Sequence, residues 1–377
     1  MVRKALVALH RWLGLTAGAF LLILGLTGCL LVFSNEIDAA LNPKLLKVTP
    51  QQQRRSLEDI VRAAERAPAD RGVIAIRLAD APDRPHQVSM SSGRVVFVDP
   101  YTARVMGARR REQVEVFFIH SLHTQLLADF AGSQWVELEG WAHWFLGGVS
   151  LLGCLMVLTG LPLWLRYKLF GVRWREGGPA IIFDLHNIAG FYSSLVLLVI
   201  AATGVAIAFE GRAYSAIERR MGDPARPRVP QAASEDGRQI TFDQAVSAAE
   251  RALPGAAVAL VTAPQGPRGV FRVQLKYPED RTPAGRSRVY VDPHTGKALL
   301  VEDFRTAPAG MQITNRIRSL HTGDIFGWPT RILYSAAALI LVIQVVTGFA
   351  VWLRRRRAEK IGMPRGYVTE EQPPTGK

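Results

Sequence analysis

Eight histidines, at positions 10, 86, 120, 123, 143, 186, 294 and 321, are the residues whose type and placement best suit chemistry here, because a neutral imidazole nitrogen is a metal ligand. His86 and His294 fall in strand or turn contexts and read as structural residues. The other six sit at or near the ends of long apolar runs. A polar ring at the lip of a lipid-embedded helix is costly unless it has a partner, so each of these six is a functional candidate. Cysteine offers little competition. Cys29 and Cys154 both lie inside apolar runs, which excludes a disulfide outside the membrane and leaves a Cys/His zinc cluster or an iron–sulfur site without ligands. No glycine-rich dinucleotide fingerprint occurs, so NAD(P)H or flavin is not bound by that route.

The elements that must position the histidines are legible from charge. Uncharged stretches cover 12–35, 140–165, 185–209 and 332–353, each longer than the roughly 18 apolar residues that cross ~30 Å of hydrocarbon as a helix. With their flanks, the spans are assigned to 9–35, 140–165, 185–209 and 328–353. The N-terminus, the loop 166–184 and the tail 354–377 together carry 14 Lys/Arg against 5 Asp/Glu. The segment 36–139 carries 14 of each sign, and 210–327 carries 17 against 13. Short basic segments stay inside, so both termini face the cytoplasm and the two long segments lie outside. On this reading the chain is a multi-pass protein of a bacterial inner membrane, and the run Arg354–Arg355–Arg356–Arg357 is a stop-transfer anchor with no nucleic-acid role.

A repeat organises the chain. A Thr-Gly pair recurs towards the exit end of all four spans, at 27–28, 159–160, 203–204 and 347–348, where small residues let helices approach closely. That recurrence favours helix packing over a lipoprotein cleavage box at Cys29. His10 precedes Gly28, and His186 precedes Gly204, by the same interval. Residues 96–102 parallel 289–295, each a strand, an Asp-Pro turn and a second strand, with an amphipathic helix upstream at 57–67 and 242–253. Ser-Leu-His-Thr follows each, at 121–124 and 319–322. Both copies run in one direction, so their pseudo-twofold axis stands along the membrane normal.

Asp184-Leu185-His186-Asn187 with Gly190, the two Asp-Pro hairpins, and the run from Ser319 to Gly327 resemble the PepSY-associated transmembrane proteins, which include iron-regulated siderophore reductases of the inner membrane. The resemblance covers nearly the whole chain. It implies four transmembrane α-helices built as a tandem repeat with two small α+β PepSY-like periplasmic domains, and a haem protein that reduces ferric siderophores.

Repeat symmetry sets His10 opposite His186 on the cytoplasmic side and His123 opposite His321 on the outer side. Two neutral imidazoles on opposite faces of one macrocycle fill both axial positions of a haem iron. The expectation is therefore two bis-histidine haem b groups. For the outer one, His143 is a rival, with Arg331 as its repeat counterpart suited to a haem propionate, and His120 shares a helical face with His123. Trp135, Trp141, Trp144 and Trp328 read as interfacial anchors, with one wall of a substrate platform beside the outer haem as the alternative. The expected activity is ferric-siderophore reduction fed by quinol or a cytoplasmic reductase. Its alternatives are a cytochrome b subunit serving another periplasmic acceptor, or a non-redox PepSY module that binds peptides or restrains a protease.

Overall fold

The computed structural model describes residues 1–66, 72–110, 113–128, 136–233, 237–280, 282 and 284–360. Trp135 lies outside them. In chain order the elements are α1 (Val2–Leu31), α2 (Ser34–Leu41), α3 (Pro43–Leu46), α4 (Leu57–Ala64) and the strands β1 (Val73–Arg77), β2 (His86–Met90), β3 (Arg94–Val98) and β4 (Val105–Arg110). Then come α5 (Glu115–Gln125), α6 (Val136–Tyr167), α7 (Gly178–Ala208), α8 (Glu210–Arg220) and α9 (Phe242–Ala252). The strands β5 (Ala257–Thr262), β6 (Phe271–Lys276), β7 (Ser287–Val291) and β8 (Ala298–Glu302) precede α10 (Ala309–Thr322) and α11 (Trp328–Lys360).

The chain divides into two compact units. The first holds residues 1–33, 119–213 and 317–377 and contains α1, α6, α7 and α11, four helices long and apolar enough to cross a membrane. Helices α1, α6 and α11 run past their apolar stretches into basic flanks, because the helical hydrogen-bond ladder does not stop where hydropathy does. Helix α1 packs on α6 and α11, and α7 packs on the same two, leaving α1 and α7 on one diagonal. Ala17, Leu21 and Val149 are buried at the centre, while Leu30, Leu158, Leu195 and Val346 are exposed. Helices apolar on every face are solvated by hydrocarbon. Glycines set the close approaches: a Cβ on Gly147 would fall 2.7 Å from that of Ala208, and one on Gly25 would fall 3.0 Å from the Ala338 carbonyl oxygen.

The second unit holds residues 34–118 and 214–316 and is built on one antiparallel eight-stranded sheet of order β4-β3-β2-β1-β5-β6-β7-β8. The sequence suggests two small domains; the structure joins their strands through β1 and β5, where Ile76 pairs with Val261 and both are fully buried. Helices α4 and α9 cover the apolar face. Their N-termini meet and cap each other. The Leu57 amide donates to both Asp243 carboxylate oxygens at 3.0 Å, and the Asp243 amide donates to Glu58 at 3.4 Å. Acceptors at helix N-termini satisfy orphan N–H groups and oppose the helix dipole. Each Asp-Pro turn is closed by its aspartate: Asp99 accepts from the Tyr101 amide at 2.8 Å, and Asp292 accepts from those of His294 and Thr295 at 2.9 and 2.8 Å.

His86 is buried in β2, where its Nδ1 accepts from the Ala79 amide at 2.9 Å. Burial, assisted by the positive charge of Arg54, lowers its pKa from 6.5 to about 4. Between those values the unfolded chain takes up a proton that the folded chain refuses, so the stability His86 contributes is intact above pH 6.5 and falls as pH drops towards 4. At pH 4 the loss is on the order of 2–3 kcal/mol. Amide exchange of β1 and β2, corrected for intrinsic rates, is expected to speed up between pH 7 and 5 in the wild type and to change less in His86→Gln. Equal pH sensitivity in the two chains contradicts the assignment.

Candidate functional site

Two pairs of imidazoles lie inside the helical unit. His10 of α1 and His186 of α7 reach across the diagonal, with ring centroids 6.4 Å apart and planes at 76°. Each leans on a Thr-Gly pair of a neighbouring helix. His10 Nδ1 lies 2.9 Å from the Thr159 hydroxyl on α6, and His186 Nδ1 lies 3.1 Å from the Thr347 hydroxyl on α11. The glycine that follows makes room for the ring: a Cβ on Gly160 would stand 3.1 Å from His10 Cε1, and one on Gly348 would stand 3.0 Å from His186 Cε1. Gln344 holds the backbone of the same site by donating to the His186 carbonyl at 2.9 Å. The start of α7 is fixed by buried Asp184, which accepts from the backbone N–H, Nε and Nη2 of Arg173 at 3.0, 2.9 and 2.9 Å.

The second pair repeats the arrangement. His123 of α5 and His321 of α10 have ring centroids 6.3 Å apart. His123 Nδ1 lies 2.7 Å from the Thr27 hydroxyl on α1, and His321 Nδ1 lies 3.1 Å from the Thr203 hydroxyl on α7. A Cβ on Gly28 or Gly204 would stand 3.3 Å from the ring it faces. All four Thr-Gly pairs therefore seat imidazoles. The sequence reading of those pairs as helix-packing features overlooks this, although their recurrence was the available signal.

The structure brings together His10 with His186 and His123 with His321, and it sets both outer rings in the helical unit although the sequence boundaries put them in the outside segments. His120 lies one helical turn before His123 on α5. His143 is elsewhere. It lines an open recess of about 530 Å³ with Trp144, Phe209, Glu210, Arg212 and Arg318, and among the described residues it faces no second imidazole. Arg331, expected at a propionate, has a local role: it donates to the Val32 carbonyl at the end of α1 through Nε at 3.1 Å and Nη2 at 2.6 Å, and its guanidinium lies over Phe33 and Trp328. Trp141, Trp144 and Trp328 are exposed, as interfacial anchors require.

The spacing of the rings can be tested against a metal. With about 2 Å from metal to nitrogen and about 1.2 Å from nitrogen to ring centre, two coaxial imidazoles stand about 6.4 Å apart. Both pairs match. Among the described residues no group of three or more His, Cys, Asp or Glu converges on a metal position. A bare ion would thus find two protein ligands here, whereas a macrocycle that supplies its own four nitrogens needs two and no more. The residues fit haem.

Fold and site together define a multi-pass membrane protein with paired imidazoles in its helical unit. The family model described as the PepSY-associated TM region matches residues 7–355, and the chain belongs to that family. None of the curated proteins matches the chain.

Because a Cβ on Gly348 would stand 3.0 Å from His186 Cε1, Gly348→Ala is expected to displace that ring by a few tenths of an ångström and, where the pair holds haem, to weaken its retention roughly tenfold or more. Gly148→Ala, where a Cβ meets nothing within 4 Å, serves as the control and is expected to retain the wild-type content. Haem per chain, measured as the pyridine haemochrome, checks both. Equal haem in the two variants contradicts the seating role.

Proposed function

We propose that this protein is an inner-membrane reductase that holds two b-type haems and passes electrons to ferric siderophore on the periplasmic side, releasing iron as Fe(II). One observation carries the reading: two imidazole pairs at the spacing of axial ligands, set at opposite ends of a helical unit built to cross a membrane. His10 and Thr27 mark the two levels on α1, about 25 Å apart along the helix axis. Bound haem supplies one-electron exchange at each level. The chain's own residues hold the two sites in register and exclude water between them with Ala17, Leu21 and Val149.

Orientation follows from the basic flanks. Arg3, Lys4 and Arg11 begin α1, and Arg354 to Arg357 end α11, which supports a cytoplasmic location for the end that carries the His10–His186 pair. That pair would accept electrons from quinol or a cytoplasmic reductase. On this reading the His123–His321 pair faces the periplasm, and the segments that form the eight-stranded sheet are the periplasmic, PepSY-like portion of the chain. The palindromic strand order, and the pairing of Ile76 with Val261 at its centre, support a tandem duplication of helix, sheet-forming segment and helix.

The recess beside α10 supports the choice of substrate. Arg318 stands one turn before His321, Arg212 lies 4.8 Å over the Trp144 ring, and Phe209 packs edge-on against it. Arg318 pairs with Glu210 at 3.8 Å, so two guanidiniums and one carboxylate leave the recess net positive beside an aromatic wall, which suits an anionic iron chelate. Reduction of Fe(III) weakens its hold on hard oxygen donors.

His186→Ala is expected to remove one of two haems, halving the Soret absorbance per chain, and unchanged haem content contradicts the inner site. Stopped-flow mixing of the dithionite-reduced protein with ferric siderophore is expected to reoxidise it, with Fe(II) trapped by a ferrous chelator. Reoxidation by other acceptors but not by any ferric siderophore would assign the electrons to a different periplasmic partner.

A further inference from the structure

The four threonines have more to do than fill space beside a ring. Each hydroxyl carries one proton, and its position is settled by the helix. Thr27, Thr159, Thr203 and Thr347 lie 2.7, 2.7, 2.6 and 2.6 Å from the carbonyl oxygens of Ile23, Leu155, Val199 and Ile343, one turn back. A carbonyl only accepts, so the hydroxyl proton is given to it and the hydroxyl oxygen is left to accept from the imidazole. The histidine nitrogen facing it must then be the N–H. His321 makes the point a second time, because its Nδ1 is also 3.0 Å from the Ile200 carbonyl oxygen.

We infer that Thr27, Thr159, Thr203 and Thr347 are positioning residues that lock all four histidines in the Nδ1–H tautomer, so that every Nε2 lone pair is available to iron before the cofactor arrives. This rests on the haem reading above and adds to it the groups that set ligand strength. The same arrangement recurs at four hydroxyls on four helices, α1, α6, α7 and α11. All the hydrogen bonds these rings make among the described residues run through Nδ1. The opposite tautomer would point an N–H at the metal position and abolish ligation. The hydrogen bond also raises the basicity of the ligating nitrogen, which favours the ferric state.

The test uses the full-length protein in detergent. Thr347→Val and Thr159→Val keep the side-chain shape and remove the acceptor at the two ligands of one haem, while Thr347→Ser retains it. Each valine variant is expected to weaken that haem's binding about 10- to 100-fold, the range for lost outer-shell partners. Its midpoint potential in a spectroelectrochemical titration should become more positive, with the second haem unmoved. Thr347→Ser is expected to restore both properties. A purely structural role would leave the potential of the retained haem at its wild-type value. Wild-type affinity and potential in both valine variants, at wild-type helix content, would overturn the inference while leaving the haem reading intact. A wild-type protein with no Soret band would overturn the haem reading and this inference with it. If one valine variant does not fold, the other reports on the same haem.

Discussion

Four imidazoles inside an apolar helical unit impose a strict condition, since each ring brings two nitrogens that must be satisfied where water is scarce. Much of the helical unit follows from meeting it. One nitrogen of each ring goes to a threonine hydroxyl that is already committed to its own helix, and the glycine beside that threonine lets the Cε1 edge of the ring approach the neighbouring backbone. The other nitrogen has no protein partner among the described residues, and the rings stand in pairs separated by the span of one six-coordinate iron. The diagonal placement of α1 and α7 serves this end. It lets His10 and His186 meet at one level, while Thr27 and Thr203 of the same two helices receive His123 and His321 at the other.

The sheet unit obeys a related logic of mutual satisfaction. Two four-stranded halves, each with an unpaired edge, join through β1 and β5 to leave β4 and β8 as the outer strands. The helices that cover the joint cap one another through Asp243 and Glu58, so neither N-terminus depends on its own side chains alone. Burial, and the neighbouring Asp243 carboxylate, push the Glu58 pKa up, the cost of placing two acids together at that joint.

Apolar runs and the charge between them made the four helices legible, since hydropathy reports solvent directly. Matching intervals from His10 to Gly28 and from His186 to Gly204 revealed which histidines share a level. Sequence interval gives height along a helix but not which neighbour its side chain meets, and for that reason His143 competed with His123 until the rings were placed. The Thr-Gly pairs show the same limit: their recurrence was visible, but a small residue in a membrane span signals close approach without saying whether a backbone or a ring approaches. The joining of the two sheet halves was not legible at all, because strand periodicity encodes faces and leaves the partner of an edge strand open.

Under the proposed function these ring pairs are axial ligands. Low-temperature electron paramagnetic resonance of the oxidised, detergent-purified protein, with iron and protein quantified on the same sample, tests this most directly. The expected spectrum shows two low-spin ferric centres per chain, each with both axial positions filled by nitrogen. A high-spin centre with an open axial position, or no iron in correctly folded protein, would contradict that assignment.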